Sequence, residues 1–418
     1  MSRYLIIFAI AACYFVFAIL LNSVGTVILQ SINSFDITKT DAGLLEGFKD
    51  LSIAIVSFLV ASFVPRIGYR FALAGALLLV TVVCFITPGI AEFWAFKLQF
   101  AAIGSAFAFV KISVYSVIGQ LSPTVKSHSS LMNFIEGLFM VGVLSGYWVF
   151  SAFIDPLQPT SLGWLAVYYW LAGLLLVTTL IVLAAPIAKP PQQLPKPVVR
   201  EFVDMLQLTY QPLELIFVIS IFMYVLIEQG IGTWLPTFNS QVLFLPADVS
   251  VQLTSLFAAM IALGRLSAGV ILRVVDWFTF LVVCLIGIGA VLLISLSMTN
   301  NVPNEQVTTL MQAPLAAFLM PVVGLMMAPI YPVLNSIILS ALTVSKQPQM
   351  TGLIVVFSAL GGTTGSLITG KLFDTFGGQH AFYLILIPIT LLLICLVLFR
   401  RANHRVAQHA AAQEHGVK

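Results

Sequence analysis

The chain has 418 residues, of which 60% are hydrophobic and only 8% are charged, and its formal net charge is +3. A soluble domain carries about 25% charged residues, so this composition excludes a water-soluble globular protein and predicts an integral membrane protein. The small net charge and the absence of basic clusters argue against nucleic acid as a partner. The four cysteines lie inside apolar runs without metal or disulfide spacing, so no metal and no cofactor is expected.

Twelve apolar runs are long enough to cross a membrane, which takes about 20 residues. Only helices satisfy the backbone in lipid at this length, so the predicted fold class is an all-α membrane protein with twelve transmembrane helices. The first run is too long for the apolar core of a signal peptide and is kept as a span. The predicted spans are 4–30, 43–64, 71–90, 94–121, 129–155, 164–187, 210–237, 249–272, 277–297, 314–342, 350–373 and 379–400.

The basic residues outside the predicted spans are distributed unevenly. Thirteen Lys and Arg residues fall on the side that carries the N-terminus, against two, Lys39 and Lys371, on the other. The positive-inside rule therefore places both termini in the cytoplasm, as expected for a bacterial inner membrane. The longest break between spans is rich in Pro and Gln, and it separates six helices from six. The predicted organisation is an N-terminal half (1–187), a cytoplasmic linker (188–208), a C-terminal half (209–400) and a cytoplasmic tail (401–418).

The loop between the second and third spans reads ASFVPRIGYR (61–70). Its Arg66, Gly68 and Arg70 match the loop signature of the major facilitator superfamily, although two other positions depart from it. The second half has an equally degenerate version, GRLSAGVILRVVDW (264–277). With its six-plus-six helices and its linker, the chain resembles this superfamily. The resemblance implies secondary transport by alternating access, with a solute site between the halves, and assigns the matching loop residues to the conformational change.

Three further stretches resemble the fucose and glucose/galactose permeases of this superfamily. They are YVLIEQGIGTWLPTF (224–238), NFIEGLFMVGVLSG (133–146) and MAPIYPVLNSI (327–337). The resemblance implies a sugar-like solute. Two departures concern the charges: the fourth span carries Lys111, where these permeases tend to have an acid, and Glu136 stands where the group often has Gln.

Lys111 and Glu136 are predicted to lie at similar depth in neighbouring antiparallel spans. Lys111 is about 15 Å from the inner end at Leu121, and Glu136 is about 10 Å from the inner end at Ser129. One interpretation is a static ion pair that locks the two helices. In a second, Glu136 carries a proton as the pair opens. In a third, which is compatible with the second, Lys111 binds an anionic or hydroxyl-rich solute together with Tyr115, one turn away.

Polar residues in other spans complete the predicted solute site. Glu228 and Gln229 suit hydroxyl groups, and the Trp234 indole suits the apolar face of a sugar. Alternatively, Glu228 bonds a neighbouring helix and Trp234 belongs to the outer aromatic belt. Three lone amides in apolar runs either bind solute or join helices: Asn22, Asn133 and Asn335.

The remaining charges in the spans are predicted to have other roles. Glu46, Lys49 and Asp50 lie within about two turns of the outer end of the second span, so they are left out of the site. Arg265 lies near the inner end of the eighth span and is expected to brace the cytoplasmic loops during the conformational change.

Glycines four residues apart occur in the fifth and eleventh spans, which correspond between the two halves. The pairs Gly142 with Gly146 and Gly361 with Gly365 predict close helix packing. Such smooth faces can also slide when the halves rock.

The predicted function is proton-coupled import (symport) of a sugar-like solute by a monomer in the lipid bilayer, with Glu136 and Lys111 as the coupling residues. The alternatives are transport of an organic anion or zwitterion held by Lys111, or drug-type proton antiport. No phosphate-binding loop occurs, which argues against an ATP-driven pump. No nucleophile–base pair is visible, so an enzyme is not expected.

Overall fold

A computed structural model describes residues 2–122, 124–188, 203, 205–299, 307, 309–343 and 346–415. Secondary structure in this part of the chain is helical throughout, which confirms the predicted fold class. Most of the predicted linker, 189–202 and 204, lies outside the described residues, so its boundaries stay a prediction.

The helices follow the predicted spans and are labelled by them. The first six are α1 (Ser2–Asn22 and Val24–Phe35), α2 (Lys39–Ile67), α3 (Tyr69–Ile90), α4 (Phe93–Leu121), α5 (Val125–Ser151) and α6 (Leu162–Leu165 and Ala166–Ala184). The second six are α7 (Pro212–Gly232 and Leu235–Gln241), α8 (Ala247–Ile271), α9 (Trp277–Met298), α10 (Leu315–Met327 and Ile330–Ala341), α11 (Gln347–Phe376) and α12 (Gly378–Leu384 and Leu386–His415). Within the described residues, eleven of these helices are long and apolar enough to span a membrane, and the remaining helix, α2, is 29 residues long.

Helices α1 and α7 are interrupted beside each other. At the α1 break, the Ser23 hydroxyl donates to the Leu20 carbonyl at 2.7 Å, a local bond that bends helices. Pro236 opens the second segment of α7, where its missing N–H does no harm. A Cβ at Gly25 would overlap the Thr233 carbonyl, so the two breaks are in contact. Irregular backbone at membrane depth is tolerated where it lines a cavity. Residues beside these two breaks line a cavity between the halves.

The two halves meet along α2 and α11, and an acid from one half caps a helix of the other. Asp374, near the end of α11, accepts hydrogen bonds from the backbone N–H groups of Lys39 (3.1 Å) and Thr40 (2.8 Å) at the start of α2. The Lys39 ammonium also lies 3.9 Å from this carboxylate. A carboxylate is favoured at a helix N-terminus by the unpaired N–H groups and the helix dipole.

Further contacts join the halves at the same end of the bundle. The Ser366 hydroxyl of α11 donates to the Gly43 carbonyl of α2 at 3.2 Å. The Gln252 amide of α8 donates to the Ser151 hydroxyl of α5 at 3.4 Å. These contacts, with the Asp374 cap, close the bundle at the end that the charge distribution predicts to be outer.

The predicted loop signature lies at the junction of α2 and α3. Gly68 has φ +91°, a conformation that L side chains rarely adopt, so glycine is required at this sharp turn. The Arg70 side chain is half-buried, and the Arg66 side chain lies outside the described residues. A role for these residues in conformational change stays a prediction.

The paired glycines lie at close helix contacts. A Cβ at Gly142 would overlap the Phe15 carbonyl of α1, and Gly146 faces Ile19 one turn further along. Cβ atoms at Gly361 and Gly365 would overlap the α7 backbone. The close packing is therefore present, while sliding of these faces stays a prediction.

Gly142→Ala is expected to destabilise the protein by about 1–3 kcal/mol, because the added methyl forces α5 away from α1. Gly137 is a matched control on the same helix, since a Cβ there meets nothing within 4 Å. Gly137→Ala should leave stability unchanged or raise it by up to about 1 kcal/mol. Thermal unfolding in detergent measures both, and equal effects would contradict the packing assignment.

Candidate functional site

A cavity of about 190 Å³ lies between the halves, where α1, α2 and α5 face α7 and α8. Its wall includes residues on either side of the α1 break and residues at the α7 break. Apolar side chains such as Phe139 and Phe257 form part of the lining. The polar and charged side chains around it are Asn22, Glu46, Lys49, Tyr147, Glu228, Gln229, Thr233 and Arg265.

At this cavity, Lys49 of α2 lies between two acids of the same helix, Glu46 and Asp50. Glu46 and Lys49 are buried, with 1% and 7% of their surfaces exposed, and they form an ion pair. The Lys49 ammonium also lies 3.4 Å from Asp50 Oδ1 and donates to the Leu21 carbonyl beside the α1 break at 3.5 Å. The predicted site leaves out these three residues, but Glu46 and Lys49 line the first cavity and Asp50 lines the second. Distance from a helix end does not reveal how far a cavity extends, and here it reaches this level.

This acid–lysine–acid group contacts the opposite half as well. Glu46 Oε2 accepts a hydrogen bond from the Thr233 hydroxyl of α7 at 3.2 Å. The same hydroxyl lies 3.1 Å from Gln229 Oε1. A Cβ at Gly362 of α11 would overlap Asp50 Oδ2. The contacts of this group therefore depend on how the two halves are positioned relative to each other.

A second cavity of about 260 Å³ adjoins the first, because Glu228, Gln229 and Arg265 line both. The other side chains around it include Asp50, Ile53, Phe107, Lys111, Tyr331 and Ser358. Together the two cavities fall within the range of about 300–1,000 Å³ that is typical of small-molecule sites.

Lys111 and Glu136 do not form the predicted direct ion pair; both are described, and no ion pair joins them. Instead the Tyr115 hydroxyl donates to Glu136 Oε1 at 2.9 Å, and the Lys111 ammonium lies 5.9 Å from the centre of the Tyr115 ring. The tyrosine bridges the difference in depth between the two residues. A static Lys111–Glu136 lock is thus absent from this conformation, and Lys111 lines the second cavity.

Glu228 and Gln229 line both cavities, as their predicted role requires. Glu228 also accepts a hydrogen bond from the Tyr224 hydroxyl at 3.0 Å within α7. Arg265, which is predicted to brace the cytoplasmic loops, lines both cavities. Its role in the conformational change stays a prediction. The eighth helix packs against α5 of the opposite half, so a position near its inner end still reaches the site between the halves.

Trp234 is fully buried, which contradicts its assignment to solute stacking in this conformation. Its indole N–H donates to the Ser366 carbonyl at 3.0 Å, and its ring stacks on Phe373 with centroids 5.2 Å apart. Neither face of the indole is therefore open to a solute. The outer-belt alternative also fails, because the ring lies inside the bundle.

The three predicted amides are not brought together. Asn22 lines the first cavity and donates to the Ala18 carbonyl at 2.9 Å. Asn133 is exposed on α5, and it lines neither of the two cavities. Asn335 of α10 also lies outside both linings, with a buried Oδ1 that makes no hydrogen bond.

The sequence-based prediction missed several polar lining residues: the α2 charges Glu46, Lys49 and Asp50, and the hydroxyl-bearing residues Thr233 and Tyr331. One signal could have found the first of these. Three ionisable residues within five positions of one predicted span, Glu46 to Asp50, are costly in lipid unless they face a cavity or each other.

Residues 8–311 match the family model of the Major Facilitator Superfamily. None of the curated proteins is a significant match to the sequence.

Solved transporters share the fold at low sequence identity. A bacterial homologue of the human lysosomal transporter Spinster, inward-facing and unoccupied, is 15% identical with a TM-score of 0.73, covering 97% of this chain and 98% of its own. A mutant of the nucleoside transporter NupG is 12% identical with a TM-score of 0.78, covering 96% and 100%. The transporter FucP in the outward conformation is 15% identical with a TM-score of 0.60, covering 96% and 99%. The chain belongs to the major facilitator superfamily and is a multi-pass membrane transporter rather than an enzyme.

Proposed function

We propose that this transporter imports a small, sugar-like solute together with protons. The observation that carries the proposal is the wall of the two adjoining cavities, in which both halves present groups that bind hydroxyls. Asn22 and the Glu46–Lys49–Asp50 group come from the first half, and Glu228 and Gln229 come from the second. A site built from both halves can bind its solute from either side as the halves rock.

The chemistry of the wall suits a polyhydroxylated molecule. Carboxylates accept hydrogen bonds from hydroxyls, and the Asn22 and Gln229 amides both donate and accept. Phe107 and Tyr331 supply apolar surface for the carbon skeleton. The charged lining disfavours a large apolar drug, because a bound apolar molecule would offer these charged groups no hydrogen-bond partners.

Proton coupling is proposed to use the two acids that share one lysine. Lys49 contacts both Glu46 and Asp50, so a single positive charge faces two carboxylates. One proton on this pair balances the charge of the group, and its loss would leave an excess negative charge between the halves. Glu136 stays the alternative proton carrier. Its carboxylate accepts a hydrogen bond from the Tyr115 hydroxyl and forms no ion pair with a cation within the described residues.

The coupling also has a structural route. Glu46 bonds Thr233 across the interface, and Asp50 lies against Gly362. Protonation of either acid therefore changes contacts that must break or form when the halves move. We further propose a monomer in a bacterial inner membrane with both termini in the cytoplasm, as the distribution of basic residues favours.

Uptake into proteoliposomes under an imposed inward proton gradient tests this function. A panel of monosaccharides should include at least one that the wild type accumulates only with the gradient. Asp50→Asn should reduce gradient-driven accumulation at least tenfold while counterflow exchange continues. Glu136→Gln should leave the gradient response intact; loss in Glu136→Gln alone would move the coupling site to α5. Uptake that is indifferent to pH in every variant would refute proton coupling.

A further inference from the structure

We infer that the solute carries one carboxylate, which binds Lys111 in the second cavity while its hydroxyls occupy the first. The inference rests on the proposed function and narrows its sugar-like solute to a sugar acid. Lys111 of α4 lines the second cavity, and its side chain is accessible rather than packed in the helix core. Within the described part of the chain, no carboxylate lies within ion-pair distance of its ammonium.

The other charges of the two cavities already face opposite charges. Lys49 contacts both Glu46 and Asp50. Arg265 and Glu228 share both linings, and the arginine charge acts on this carboxylate. Lys111 is the remaining cation: the charge of Glu136 acts on it, but it forms no ion pair within the described residues, and Glu136 accepts from the Tyr115 hydroxyl.

The lining that Lys111 shares suits a carboxylate. The Tyr331 hydroxyl and the Ser358 hydroxyl lie 3.3 Å apart in the same lining, so one of them can donate to a second carboxylate oxygen. Phe107 adds apolar surface to the same lining. An ammonium in a partly desolvated cavity binds a carboxylate through charge-assisted hydrogen bonds, which are about twice as strong as neutral ones.

The charge balance links this subsite to proton coupling. Three acids (Glu46, Asp50 and Glu228) and three bases (Lys49, Lys111 and Arg265) line the two cavities. Counted over these six lining residues, one bound carboxylate would give a net charge of −1, which is costly at membrane depth. One proton on the acids of α2 restores neutrality, so a sugar acid and a proton should move together and without net charge.

Matched probes test the subsite: glucose with glucuronate, and galactose with galacturonate. Thermal-shift titrations of the purified protein give apparent affinities for each member of a pair. The wild type should bind at least one uronate tenfold or more tightly than its hexose. Lys111→Gln should remove this preference by weakening uronate binding tenfold or more, whereas Lys111→Arg should keep part of it. Lys97→Gln is the control. Lys97 lies on the same helix, but its ammonium lies over the Phe93 ring and it lines neither cavity, so the uronate preference should stay.

The outcomes separate the two proposals. Equal binding of hexose and uronate by the wild type, or a preference that survives in Lys111→Gln, would overturn the carboxylate subsite and leave the sugar-like solute standing. The wild-type comparison decides this even if Lys111→Gln fails to fold. Binding of neither member of either pair would overturn both proposals.

Discussion

Lys49→Met is expected to lower the free energy of unfolding by about 3–5 kcal/mol, the cost of removing one partner from a buried ion pair. The lysine is the cation between Glu46 and Asp50, and all three side chains lie inside the bundle. Without it, two acids remain inside the bundle and lose the one cation that contacts them both. Chemical unfolding in detergent, followed by helical circular dichroism, measures the loss.

Two further variants make this result specific to the buried group. Lys39→Met removes a lysine from the partly exposed pair with Asp374, and such pairs contribute about 1 kcal/mol or less. The double variant Glu46→Gln with Lys49→Gln should recover at least half of the loss, because it removes an acid together with the base. A Lys49→Met protein as stable as Lys39→Met would show that the group is not the buried ion cluster described above.

Asp374→Ala is expected to open the predicted outer end of the bundle. The carboxylate accepts hydrogen bonds from two backbone N–H groups across the two halves, and hydrogen bonds to charged groups contribute about 1.5–3 kcal/mol. Losing one such bond shifts the equilibrium between closed and open outer ends about tenfold or more. Spin labels at Leu157 and Phe244 can follow this change, since they lie in loops of different halves and are 89% and 80% exposed.

A similar cap within one half is the matched control. Asp276 accepts from the N–H groups of Phe278 and Thr279 at the start of α9, as Asp374 does for α2. Asp276→Ala should cost similar stability but leave the inter-label distance unchanged, because this cap does not join the halves. A longer distance in both variants, or in neither, would contradict the role assigned to Asp374.

Hydropathy and charge alone predicted the helices well, because lipid imposes strict limits on backbone and side chains. Each of the twelve predicted spans corresponds to one helix or to a pair of helical segments in the described part of the chain. The breaks were harder to foresee. Pro236 offers a local reason for the α7 break, but the α1 break at Ser23 depends on a serine side chain bonding its own helix, which many unbroken helices also contain.

The site was predicted less completely. Asn22, Lys111, Glu228 and Gln229 line the cavities, since an isolated polar residue in an apolar run has few other stable places. The Lys111–Glu136 pair could not be resolved by depth alone, because the rotation of each helix decides which side chains meet. The prediction for Trp234 was wrong for a similar reason. Whether an indole faces a cavity or the protein interior depends on packing between helices that are distant in sequence.

The burial of Trp234 has an experimental consequence. Its segment of α7 packs against the outer segment of α1, and its partner Ser366 bonds Gly43 of the opposite half. When the outer end opens, water should reach the indole edge and shift its emission to longer wavelength. With the other five of its six tryptophans replaced by phenylalanine, the chain would carry an intrinsic fluorescent reporter of its own transport cycle, with no attached dye.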